Sequence, residues 1–128
     1  MGYVRHHAIV VTSWSDDLIE HAHTEAVRIF GAAQDESSAR TFERLVSPIV
    51  PAVTNGGSFF VAPDGSKEGW GTSDLGDACR ARLIRHLEGY RYEDGSSSLD
   101  WAELVVGGDD REAYVTRHMG APAATPAT

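Results

Sequence analysis

The sequence predicts an α+β domain, a ferredoxin-like β-α-β-β-α-β chain whose four-stranded antiparallel sheet carries two helices on one face. Three observations lead there. Two segments have apolar residues at helical spacing, Leu18-Ile19-Ala22-Ala26-Ile29-Phe30 and Leu75-Cys79-Leu83-Leu87. Four short apolar or β-branched runs surround them in the order strand, helix, strand, strand, helix, strand. An Asn55-Gly56-Gly57 hairpin signal joins the middle two strands.

The first strand spans residues 3–12 and closes on Thr12-Ser13, a helix start. Ser13 with Asp16, or Ser15 alone, suits the cap, and Asp16, Asp17 and Glu20 stand where the helix dipole favours anions. Helix one covers residues 14–30, and Gly31 stops it. Residues 34–38 are polar and form a loop; residues 38–45 make a short helical turn with Phe42 and Leu45 inward.

Residues 46–54 read as a second strand. It contains Pro48 and Pro51, which cannot donate to a ladder, so it belongs at a sheet edge. Residues 58–62 (SFFVA) form a central strand and Pro63-Asp64-Gly65-Ser66 a turn. After a glycine-flanked loop around Trp70, Ser73 with Asp74 opens helix two, which Gly89 ends. Residues 90–98 are a polar connection and 101–106 (WAELVV) the last strand. Residues 111–119 read as a short helix, and 120–128 (GAPAATPAT) as a disordered tail outside a single domain of residues 1–119.

Right-handed crossovers order these strands 4-1-3-2, which places the proline-bearing strand at one edge and strand 4 at the other. Glu103 then serves as a charge that discourages edge pairing. Strands 3 and 4 are apolar on both faces, so the face away from the helices needs cover. Phe60, Trp101, Glu103 and Val105 are the residues expected at an interface there, with a homodimer the favoured cover and the C-terminal segment next.

Composition narrows the function classes. The net charge is −8, with 4 basic and 8 acidic residues in positions 1–64 and 7 against 11 in 65–128, so each half carries −4. A diffuse negative field argues against nucleic-acid binding. A lone Cys79 excludes an internal disulfide, and the N-terminal apolar run is too short for a signal sequence or a membrane span. The expectation is a cytoplasmic protein with no membrane contact and no cofactor.

Candidate chemistry is sparse. His6 and His7 alternate across a strand and His21 and His23 diverge on a helix, so neither pair has ligand spacing and no metal site is expected. A general base at His6 or His7 lacks a visible partner. Arg80, Arg82, Arg85 and Arg91 form a basic cluster, read as solvated helix charge, and Cys79 falls on the apolar stripe as a small hydrophobe. No catalytic residue is assigned. The most site-like segment is the loop before helix two, where Ser66, Lys67, Gly69, Trp70, Gly71, Thr72 and Ser73 offer amides, a lysine and an aromatic platform. Together they suit a small anionic ligand such as a nucleotide. The segment is not a P-loop, and an ordinary β-to-α connection is the competing reading.

The strings VRHHAIVVTSW, VSPIVP, SFFVAPDGSKEGW and DWAEL resemble small proteins encoded by actinobacterial phages, over roughly residues 3–106. The resemblance implies a phage accessory protein acting by binding, either on a host signalling nucleotide or on a host protein. It assigns no site residue.

Overall fold

A computed structural model of the chain describes residues 4–32, 36–67, 69–90, 97–110 and 112–119. The expected tail at 120–128, most of the connection at 90–98, and Arg91 of the basic cluster lie outside the described residues. The elements are β1 (His6–Ser13), α1 (Asp16–Gly31), α2 (Glu36–Glu43), β2 (Val50–Pro51), β3 (Gly57–Val61), α3 (Gly71–Glu88), β4 (Leu99–Val106), a 3₁₀ turn (Gly108–Asp110) and β5 (Tyr114–His118). The class is α+β, with one antiparallel five-stranded sheet in the order β2-β3-β1-β4-β5.

The sheet is thus not the expected four-stranded, two-helix ferredoxin-like one. The segment read as a C-terminal helix is β5. Val115 and Thr116 are β-branched and Tyr114 is aromatic, residues that fit a pleated surface better than a helix. β5 pairs along β4, so β4 is interior and not an edge. At the other side the expected strand 46–54 shrinks to Val50–Pro51 plus a single bridge, Val46 to Val61. Pro48 and Pro51 remove the donors that a longer ladder would need.

Local chemistry sets the helix ends. The Ser15 hydroxyl accepts from the Leu18 amide at 3.3 Å and caps α1. The Asp16 carboxylate accepts from the Gly56 amide at 2.7 Å, which ties the β2–β3 hairpin to the start of α1. Gly56 has φ +79, and a Cβ there would drive into the backbone of Ser13 and Trp14, so only glycine fits. α3 starts at Gly71, two residues before the expected Ser73 cap; Trp70 is its N-cap and supplies no side-chain hydrogen bond.

Helices cover one face of the sheet. Ile9 and Val11 of β1, Phe59 and Val61 of β3, and Leu99, Trp101 and Val105 of β4 lie buried on that face. All of them but Val105 share one core cluster with Ile19, Ala22, Ala26, Ile29 and Phe30 of α1, Phe42 of α2, and Cys79, Leu83, Ile84 and Leu87 of α3. Each buried leucine or isoleucine contributes about 1.5–3 kcal/mol by leaving water. α1 also packs on α3, which brings polar side chains of both helices together at their outer rim.

Candidate functional site

The other sheet face has no cover among the described residues. Its register is clear from the pairing: Val10 stands between Phe60 and Ala102, and Leu104 between Ala8 and Val115. Phe60 is 44% exposed and Val115 55%, with Val10, Val106 and Val50 also open to solvent. At one end the patch meets a polar rim, where the Ser58 hydroxyl donates to Thr12 Oγ1 at 2.7 Å and Asp100 is exposed. A contiguous apolar surface with a polar border is a docking surface in the general experience of soluble proteins.

Of the four residues expected on that surface only Phe60 is there. Trp101, Glu103 and Val105 have the opposite parity and are buried under the helices. Strand alternation fixed which residues share a face but not which face the helices would take. The residues that do occupy the open side of β4 are Ala102, Leu104 and Val106.

Glu103 is not an edge guard. It is 2% exposed and sits at the centre of an ion cluster. Arg117 donates to it from Nε at 2.8 Å and Nη2 at 2.9 Å, and the Thr116 hydroxyl donates at 2.7 Å. A bulge between Glu103 and Leu104 places both β5 residues within reach of the one carboxylate. Burial works to raise the Glu103 pKa, but the hydrogen bonds from Arg117 and Thr116 outweigh it and hold the carboxyl below its usual range.

Arg80 of α3 extends the cluster. It is 3% exposed, lies 3.8 Å from Glu103, donates to Asp64 at 2.9 Å and pairs with Asp77. Reading Arg80 as solvated charge was therefore wrong. It falls on the inward side of α3 next to Cys79 and Leu83, whereas Arg82 and Arg85 are exposed as expected. Asp64 belongs to the turn after β3, so Arg80 fastens the loop before α3 onto the helix and the sheet.

That fastening decides how the loop can act. Asp64 accepts the Ser66 amide at 2.8 Å, so this amide is committed inward. Ser73 is buried within α3. Lys67 is half-buried, bridges to Val4, and holds its ammonium 5.4 Å above the Trp70 ring. Gly69, Trp70, Gly71 and Thr72 are exposed, and Trp70 at 55% is the one large apolar side chain among them. Asp74 in the first turn already complements the helix dipole. The structure brings Lys67 and Trp70 together, commits the Ser66 amide to Asp64 and buries Ser73.

The histidines separate as expected in one respect. His6 pairs with Val106 on the open face and His7 with Val105 on the covered one. His23 points to the sheet, with Nε2 2.9 Å from the Ser47 carbonyl oxygen and its ring edge-on to Phe59. His21, on the other side of α1, meets α3. Its Nδ1 contacts the Tyr90 hydroxyl, and His86 Nε2 lies 2.9 Å from the same oxygen. The two imidazole centroids are 5.9 Å apart. Desolvation lowers the His86 pKa, with Glu25 partly offsetting it, and raises that of Tyr90 to about 12. The spacings His21–Glu25 and His86–Tyr90, both four residues, are the local signal the sequence carries for this cluster.

No protein-family model, no curated protein and no solved structure matches the chain. Among the described residues no helix is long and apolar enough to cross a membrane.

Proposed function

We propose that the protein is a non-enzymatic protein–protein interaction module that docks through the open face of its sheet. The observation that carries this reading is the patch of Phe60, Val10, Val106 and Val115, exposed around a half-buried Leu104 on strands whose other side faces the core. Such a face lowers its free energy by about 25 cal/mol for each Å² it removes from water. A second copy is the occupant of first choice, because a two-fold axis sets the same apolar patch against itself and covers both copies at once. Docking of this kind suits the phage accessory proteins that the sequence resembles, and a host protein is the other occupant the reading admits.

Sedimentation velocity over a concentration series tests it. The wild type should self-associate, and Phe60→Asp and Val10→Asp should be monomeric with folding transitions close to wild type, since both side chains are exposed in the single chain. A wild type that remains monomeric at every concentration overturns the two-copy form. Variants that lose the fold along with association would show that the face belongs to the core.

A second reading rests on the exposed Trp70 at an α3 start that no side chain caps, with Lys67 above the ring. Here a small anionic ligand, a nucleotide among them, binds at Lys67, Gly69, Trp70, Gly71 and Thr72. Trp70 fluorescence titrated with nucleotides measures it, and the absence of any change with mono- and cyclic nucleotides removes it.

A further inference from the structure

We propose that His21, His86 and Tyr90 form a binding site for one divalent transition-metal ion of the zinc, nickel and copper class, with Glu25 as a nearby negative charge. The site lies at the rim where α1 packs on α3, on the opposite side of the sheet from the open face.

The argument starts from direction. Two imidazole nitrogens on different helices, His21 Nδ1 and His86 Nε2, are aimed at one point, the Tyr90 oxygen. A hydroxyl has a single proton, so it donates to one ring and accepts from the other; at least one imidazole presents its lone pair to the shared point. Imidazole nitrogen is the commonest protein ligand for this class of metal, and phenol oxygen is a hard donor that completes a mixed set. Helical spacing supplies the scaffold. His21 and Glu25 lie four apart on α1, and His86 and Tyr90 four apart along and just beyond α3, so each pair shares one side of its helix. Both helices are anchored by buried residues beside the site, Ala22 and Ala26 on α1 and Leu83 and Leu87 on α3.

The charge environment agrees. Glu25, one helical turn from His21 on α1, is near enough for its charge to act on His86 and Tyr90. Arg28 holds that carboxylate ionised at 2.8 Å. No three His, Cys, Asp or Glu side chains among the described residues stand gathered as ligands. In this cluster the third ligand already in place is a phenol. Zinc–nitrogen bonds of about 2.0–2.1 Å require the three donors to part slightly around the ion. His21 is exposed, whereas His86 is half-buried and Tyr90 packs against the margin of the core, so the adjustment falls on the His21 side chain.

The test is isothermal titration of metal-stripped full-length protein with zinc chloride at neutral pH, repeated with magnesium chloride. One zinc per chain and no heat with magnesium are expected. His21→Ala and His86→Ala should each weaken zinc binding by at least the about 10–100-fold that loss of an outer-sphere partner costs. Tyr90→Phe and Glu25→Gln should weaken it less. A His6→Ala/His7→Ala variant should bind as wild type. Circular dichroism confirms folding, and His21→Gln with His86→Gln replaces any alanine variant that unfolds. No zinc uptake at millimolar metal, or uptake that survives the loss of both His21 and His86, overturns the proposal. So does uptake lost equally on removing His6 and His7.

Discussion

Replacing Arg80 by methionine tests the reading of the buried ion cluster most directly. Methionine keeps an unbranched stem on the buried side of α3 but removes the guanidinium. Arg80 is 3% exposed and faces Asp64 at 2.9 Å, Glu103 at 3.8 Å and Asp77. Losing one partner of a buried ion pair costs about 3–5 kcal/mol, because a charge stays behind without compensation. Here Glu103 keeps Arg117 and the exposed Asp77 relaxes into water, so Asp64 bears most of the loss. The expected cost lies at the lower end, about 3 kcal/mol. Against a total stability of about 5–15 kcal/mol for a domain, that is a large fraction. At about 4 °C per kcal/mol for a chain of this size, the melting temperature should fall by about 12 °C. Urea denaturation followed by circular dichroism gives the free energy, with Arg82→Met, an exposed neighbour on α3, as control and expected within about 0.5 kcal/mol of wild type. An Arg80→Met variant within about 1 kcal/mol of that control would refute the account. The cluster would then be ornament on a core that holds without it.

Four further outcomes follow from named contacts. Gly76→Ala should destabilise although alanine is the better helix former by about 1 kcal/mol, since a Cβ there would sit on the Asp64 carboxylate; equilibrium unfolding measures the sign. Glu103 has a depressed pKa in the folded state, so its contribution is present above the ordinary value of 4.5 and is lost as pH falls through the lower folded value; Glu103→Gln should flatten the acid limb of a stability–pH curve. His86 also has a depressed pKa, from 6.5, so the unfolded chain takes up its proton first; this site reduces stability as pH drops below that value, and its imidazole should titrate below 6.5 by NMR. Burial pushes the Cys79 thiol up, so a thiol reagent at mildly alkaline pH should react slowly with folded protein and quickly in denaturant.

Much of the core was legible because periodicity is a local property. The stripe from Leu18 to Phe30 buries all its members but Leu18, and the repeat Leu75-Cys79-Leu83-Leu87 buries all but Leu75, which packs at the core's margin. Proline placement was equally legible: Pro48 and Pro51 confine β2 to an edge with two paired residues. The C-terminal strand was not. Tyr114-Val115-Thr116-Arg117-His118 has strand formers, but its flanks Gly107-Gly108 and Gly120 suit a helix between stops as well as a strand. What tips the balance is non-local, since Thr116 and Arg117 satisfy Glu103 only once β4 lies beside them. Placing β4 at an edge and exposing Glu103 were one error, because an acid reads as solvated until its cation is found.

The same physics accounts for the misread sites. Arg80 and Glu103 are 23 positions apart, and His21 and Tyr90 are 69 apart; no window along the chain contains either pair. Helical and strand periods say which side chains share a face, and only the packing of α1 on α3 and of α3 on the sheet says what that face meets. The loop at 63–73 shows the converse. Its composition suggested an anion cradle, yet the packing enlists Asp64 and the Ser66 amide for the interior and leaves Trp70 outside. The open sheet face and the α1–α3 rim lie on opposite sides of one core. Phe60→Asp touches only the first and His21→Ala only the second. If docking and metal uptake are separate properties, each substitution must leave the other untouched; an effect of Phe60→Asp on zinc binding would mean that the core between them transmits strain.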